Sequence, residues 1–347
     1  MEGDRIKMRK KISFLPYILI TAVLIGALYF PLPYFVSKPG MAKELEPIIN
    51  IENGYHEKGS FMLTTVRMGR ANIYSYLTAK VSKYDEIYPL DMIMGKKETE
   101  EEFNTRQLHM MEGSKESAIE TAFKKAGIPV QYRYKGVYVL DIVPGMPAAG
   151  KLKSGDRLLK IDGHPFISSG QFIESVSKKH EGDSVKITFS RRGKTDTANM
   201  SVKKFKNDPK HVGVGIGLVD DKDLITQPKV KIKTDEIGGP SAGLMFSLEI
   251  YNQLTKEDLT RNYEIAGTGT ISPDGMVGPI GGIEQKIIAA DKAGAEIFFA
   301  PNEKGAKDSN YRAAVKTAKD IDTNMKIIPV DTFNDAVHYL EKLKMKS

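Results

Sequence analysis

The chain has no cysteine among its 347 residues, so a disulfide framework and thiol catalysis are both excluded. Its six histidines, His56, His109, His164, His180, His211 and His338, show no metal-ligand spacing such as HExxH. No metal site is expected, a metalloprotease is excluded, and the histidines read as surface or satisfied core residues. GxxxxGK[ST] is missing as well, so the sequence holds no P-loop, and no cofactor is expected. Basic charge is sparse beyond the start of the chain. Of the net +7, +3 lies in residues 1–11, where Arg5, Lys7, Arg9, Lys10 and Lys11 face only Glu2 and Asp4. No later arginine-rich stripe with interleaved aromatics appears, so a nucleic-acid partner is unsupported.

What is present first is a long apolar run. From Ile12 to Val36 there is no charge, enough residues to cross a hydrocarbon core of about 30 Å as a helix. The run exceeds the roughly 7 to 15 residues of a secretory core and ends in no small-x-small cleavage site. It therefore predicts one transmembrane anchor, with Pro31 and Pro33 at the exit and Tyr29, Phe30, Tyr34 and Phe35 at the interface. The basic tail keeps the N-terminus cytoplasmic, which places everything after about Ser37 outside the cell membrane.

Chemistry is confined to two segments near the C-terminus, Gly238-Gly239-Pro240-Ser241-Ala242-Gly243 and Gly278 to Lys286. A serine hydroxyl needs a base, and a lysine serves as one only when burial or a neighbouring cation lowers its pKa. Ile280, Ile283, Ile287 and Ile288 flank Lys286 and predict a partly desolvated amine. Ala242, Leu244, Met245, Leu248 and Tyr251 recur at helical spacing, which places Ser241 in the first turn of a helix, beside N–H groups suited to an oxyanion. Gly239 and Pro240 let a substrate backbone approach. Each residue alone has a plainer reading, Ser241 as a helix cap and Lys286 as a surface residue on a helix from about Ile283 to Ala293.

The run IGGPSAGL and the segment from Gly267 to Pro301 resemble the proteolytic domain of Lon proteases. That resemblance implies a Ser-Lys dyad of Ser241 and Lys286, with Thr268 supporting the lysine. Many Lon domains carry an acidic residue three positions before the serine, and here that position is Gly238. Upstream, Ser60–Val66 is similar to the family's early strand, and Met111–Ala118 is similar to a helix of the same domain. A helix is predicted from about Glu98 to Ala126, closing at Gly127 and Pro129.

Between them, residues 131–206 show short β-rich runs that resemble a PDZ domain, a β-rich and partly open barrel. In that family an aromatic-x-Gly-apolar turn offers backbone N–H groups to a peptide C-terminus. Tyr134-Lys135-Gly136-Val137 fits that turn, so Tyr134, Gly136 and Val137 are the expected substrate-capturing residues. Gly155–Gly163 fits the hairpin that follows.

The expected architecture is thus an α/β (α+β) Lon-type domain with an inserted PDZ domain, preceded by one transmembrane helix. Its parts are a cytoplasmic tail (1–11), an anchor (12–36), a first protease stretch (41–130), the PDZ domain (131–206) and a second protease stretch (207–347). The combination resembles the membrane-anchored peptide-processing proteases of Gram-positive bacteria, the pheromone-maturation type among them. The resemblance implies an ATP-independent extracytoplasmic serine endopeptidase acting on secreted peptides or flexible segments. Lon-like domains tend to form rings, which leaves a homo-oligomer open. The rival reading is a catalytically idle membrane adaptor that binds peptide tails; it has no reason to keep Ser241 and Lys286 adjacent. An ATP-dependent quality-control protease lacks its motor in this sequence.

Overall fold

The computed structural model describes residues 14, 17, 21, 26, 28–95, 98–205, 208–234 and 237–346. It is a mixed α/β protein of two compact units. One combines the residues up to Ile128 with Pro228–Ser347, and the other is Pro129–Gln227.

The first unit is built on a sheet whose strands come from both stretches. They are β1 (Pro31–Glu44), β2 (Ser60–Asn72), β3 (Glu86–Pro89), β4 (Glu264–Gly267), β5 (Ile297–Pro301) and β6 (Lys326–Val330). In space the order is β6-β5-β4-β2-β1-β3, parallel from β6 to β2 and antiparallel across β1 and β3. The central strands carry continuous apolar runs because they are covered on both faces: Phe61, Leu63, Ala266, Phe298 and Phe299 are buried.

Three helices matter for the site: α1 (Glu100–Lys125), α2 (Gly243–Leu254) and α3 (Ile283–Lys292). Helix α1 starts from a capping box in which Thr99 accepts from the N–H of Glu102 and Glu102 returns the bond. It closes at Gly127, whose φ of +71° suits a residue without Cβ. Helix α2 is apolar nearly all round and correspondingly buried. Its far end is fastened by amides: Gln253 donates to the Ile49 carbonyl (2.9 Å), and Asn252 donates to Glu57 (2.6 Å). Burial raises the pKa of both Glu57 and its neighbour Glu249. Raised pKa values favour the protonated form of these carboxyls, which lessens the cost of two buried charges.

About half of the expected anchor, Ile12–Val36, lies outside the described residues, and the tail 1–11 lies wholly outside them. The anchor's described part needs two corrections. Pro31–Val36 belongs to β1, where Phe35 and Val36 are buried in the sheet and residues 34–37 pair with β3. The protease unit therefore begins before residue 41. Among the described residues no helix is long and apolar enough to cross a membrane. Thr21 Oγ1 donates to the Tyr17 carbonyl and the Phe30 N–H to the Gly26 carbonyl, each in an i to i−4 step.

The second unit is a twisted antiparallel sheet around a core that includes Val139, Leu158, Ile161, Phe172, Val185 and Phe189. It extends past the expected boundary at residue 206. The strand Ile216–Ile225 pairs along its whole length with Gln131–Ile142 and so folds with this unit.

Candidate active site

Ser241 sits immediately before α2, whose N-cap is Ala242 and whose first residue is Gly243. The serine therefore precedes the first turn instead of lying inside it. Two contacts hold this junction: the Gly269 N–H donates to the Ser241 carbonyl (2.9 Å) and the Leu244 N–H donates to the Gly269 carbonyl (3.1 Å). A side chain at 243 would meet Ile271 and Ser114 within 3 Å, so glycine is required where the helix turns against them. From the other side, the Gly239 N–H donates to the Gln107 carbonyl of α1 (2.9 Å), and Ser114 Oγ donates to the Pro240 carbonyl (3.0 Å).

Lys286 comes from the first turn of α3, on the far side of the same crevice, and is 2 % exposed. Its Nζ lies 2.7 Å from Ser241 Oγ and 2.9 Å from Thr268 Oγ1. Thr268, fully buried just after β4, also donates through Oγ1 to the Ser241 carbonyl (3.0 Å). The threonine thus ties the backbone of the serine to the amine of the lysine. Burial alone lowers the Lys286 pKa from 10.5 to about 7, because an ammonium loses its hydration there without gaining a carboxylate partner. Ile283 and Ile287 pack with Met62, Ala266 and Phe298 and close one side of α3 to water. Beside Lys286, the fully buried Gln285 accepts from Ser37 Oγ (3.0 Å) and donates to the Tyr84 carbonyl (3.0 Å), pinning the helix start to β1. Sequence reading missed Gln285; its one signal was an uncharged amide in an apolar helix turn.

Gly239, Pro240, Ser241 and Lys286 all line one cleft of about 830 Å³. Its walls include Met41, Val66, Met68, Met111 and Ile280, and its size suits several residues of an extended peptide. At Gly238, where an acidic residue is common in Lon domains, a Cβ would stand 2.8 Å from the Gln107 Cβ. Helix α1 fills the space an acidic side chain would need.

These positions suit acyl transfer: a hydroxyl within reach of an amine that titrates near pH 7, supported by a third group. Thr268→Val should keep the shape and remove both hydrogen bonds. Losing a buried hydrogen bond to a working group costs about 1–3 kcal/mol, so kcat should fall on the order of ten- to a hundredfold with KM little changed. Steady-state kinetics on a fluorogenic peptide would check it; unchanged kcat would remove Thr268 from the site.

The expected PDZ turn is not a turn. Tyr134, Gly136 and Val137 lie inside the strand Gln131–Ile142, with Gly136 opposite Asp221 and Val137 opposite both Asp220 and Leu158. A Cβ at Gly136 would meet Arg157 Nε at 2.6 Å. The glycine there makes room for an arginine and not for a ligand. The edges of this sheet are Ile216–Ile225, beside Gln131–Ile142, and Lys194–Ser201 at the other end; the first is the one next to the expected turn. It follows Gly213-Val214-Gly215, where Gly215 adopts φ +80°, and Asp220 on it accepts from the N–H of Ser169 (2.6 Å) at the start of the helix Ser169–Ser177. The glycine alternation from Gly213 to Gly217 was the available signal.

Two family models match the chain. Residues 125–202 match the PDZ domain model, and residues 184–342 match the model of the Lon protease (S16) C-terminal proteolytic domain. The Lon protease of Campylobacter concisus is 40% identical over 100 residues, covering 28% of this chain and 11% of that protein. The Lon protease of Mesomycoplasma hyopneumoniae is 29% identical over 179 residues, covering 51% and 19%. That of Azorhizobium caulinodans is 26% identical over 216 residues, covering 61% and 22%. The chain thus spans between a tenth and a quarter of the length of these relatives. Among solved structures, the PDZ domain of an SdrC-like protein from Listeria monocytogenes is 38% identical, covering 25% of this chain and 90% of that one, with a TM-score of 0.23. The chain carries a PDZ domain and a Lon-type C-terminal proteolytic domain, and it is a serine peptidase.

Proposed function

We propose that this serine peptidase is a membrane-anchored, extracytoplasmic endopeptidase that processes secreted peptides and flexible segments, with its PDZ domain capturing the substrate. The observation that carries the reading is the 2.7 Å approach of Lys286 Nζ to Ser241 Oγ inside a cleft open to a peptide. Neutral Lys286 takes the hydroxyl proton as Ser241 Oγ attacks the scissile carbonyl. The developing oxyanion falls to the Ser241 and Ala242 N–H groups just ahead of α2, since the Leu244 N–H is already given to the Gly269 carbonyl. The protonated lysine then gives its proton to the departing amine, and water releases the acyl group by the reverse sequence.

The absence of GxxxxGK[ST] from this sequence favours substrates already extended. The uncharged run that begins at Ile12 supports the anchor, and the basic residues ahead of it support export of the remainder. Capture is assigned to the edge strand Ile216–Ile225, on which a peptide can add as a further strand beside the helix Ser169–Ser177.

Incubating the full chain, in detergent or nanodiscs, with a pool of secreted peptides should yield defined fragments, and the Ser241→Ala protein should yield none. Free-acid and amidated forms of one good substrate then separate two modes of capture. A terminal carboxylate held by the backbone near Gly215 predicts a higher KM for the amide with kcat nearly unchanged. Equal kinetics would leave the dyad in place and reject carboxylate capture. For orientation, protease added to intact cells should reach the residues after Ser37; a C-terminal tag protected until lysis would reverse the topology.

A further inference from the structure

We infer that the cleft selects peptide segments that carry acidic side chains flanking an apolar stretch, read by Lys43 on β1 and Arg67 on β2. The inference rests on the peptidase reading of the same cleft and adds its substrate class. Both cations line the cleft and both are exposed. Their neighbours along the same strands are neutralised, Lys38 by Asp85 at 3.3 Å and Arg70 by Glu100 at 2.9 Å. Among the described residues Lys43 and Arg67 have no ion-pair partner, and no carboxylate lines the cleft. Two cations left open beside a reactive site, on strands that pair their other cations, are available to a ligand.

Strand register gives their places. Lys43 stands opposite Leu63, and Leu63 pairs with Gly267, the residue before Thr268. Lys43 is therefore level with the catalytic group. Arg67 lies four residues further along β2, about 13 Å at the usual rise of a strand. A peptide lying extended along these strands would meet the two cations at side chains roughly four residues apart. Between them the wall is apolar and adaptable. Gly40 and Met41 together oppose Thr65, a bulge stitched by Thr65 Oγ1 to the Met41 N–H and carbonyl (both 3.1 Å). Bulges re-aim side chains, and Met41 stands 59% exposed in the cleft wall. Flexible thioethers accept varied apolar side chains, so the charges would carry most of the selection.

The test uses the full chain in nanodiscs and three internally quenched peptides of one apolar sequence, bearing Asp, Asn or Lys at two positions four residues apart. An exposed charge pair contributes up to about 1 kcal/mol, so kcat/KM should fall from Asp to Asn to Lys by roughly tenfold overall, mostly through KM. The spread should shrink in about 1 M salt, where screening is short-ranged. In Lys43→Glu/Arg67→Glu the order should reverse, with thermal unfolding confirming that the variant folds; Lys43→Gln, a milder change, should narrow the spread. Equal rates for the three peptides in the unaltered protein would overturn the inference. An order that survives the double reversal would overturn it too. Binding of the same peptides to Ser241→Ala gives the preference without turnover. Cleavage of the Asn peptide by the unaltered protein but not by Ser241→Ala shows separately that the peptidase reading stands.

Discussion

Lys286→Arg is expected to abolish peptide cleavage, lowering kcat by about a thousandfold or more, and Ser241→Ala should match it, because members of one catalytic unit fail together. Arginine is the informative substitution. Its guanidinium stays protonated at any practical pH and cannot accept the serine proton, however well it fits. In the structure the amine reaches Ser241 at 2.7 Å, and burial, which lowers its pKa to about 7, is what gives it the neutral form able to accept a proton. Circular dichroism and peptide binding should show that both variants still fold. Near-normal turnover by Lys286→Arg would mean that another group is the base.

The second large effect concerns stability. A group held at a pKa of about 7 when folded, against 10.5 in the unfolded chain, disfavours folding at neutral pH by at most about 4–5 kcal/mol. Lys286→Met, close in length and apolar, removes that penalty while leaving two hydroxyls, Ser241 and Thr268, short of a partner. The net expectation is a gain of roughly 2–4 kcal/mol at pH 7, together with loss of activity. The sign follows from proton counts. Between about 7 and 10.5 the unfolded chain binds a proton that the folded one does not, so stability rises with pH across that window. The penalty is full below about 7 and gone above about 10.5, and the advantage of Lys286→Met should shrink accordingly. Denaturant unfolding of both proteins at pH 6, 8 and 10 checks it. A less stable Lys286→Met at pH 6 would show that the lysine is not desolvated as described.

Much of this site was legible in the sequence because its parts are local. Gly-Gly-Pro-Ser before an apolar helix and a lysine in an isoleucine-rich turn each state their geometry within a few residues. The clamp of Thr268 on the Ser241 carbonyl was not legible from spacing, since it depends on β4 pairing with β2 and β5. The Gly238 departure became intelligible only when Gln107, far away in the chain, proved to occupy the space. Local patterns also misled. Tyr134-Lys135-Gly136-Val137 has the residues of a turn, yet pairing with the strand Ile216–Ile225 keeps it extended. The polar stretch Asp220-Asp221-Lys222-Asp223 hid an edge strand that belongs to the inserted unit. At the N-terminus, hydropathy ran on through Phe35 and Val36 because a buried strand and a membrane segment share the same apolar composition.

The central claim is that Lys286 is neutral at the pH at which the enzyme works. Selective labelling of lysine with ¹³C at Cε, assigned by comparison with Lys286→Met, would follow its titration directly in the Ser241→Ala protein, where no turnover intrudes. A midpoint near 7, some three pH units below the surface lysines, is the expected result. A midpoint near 10.5 would contradict the account, because a protonated Lys286 could not take the serine's proton.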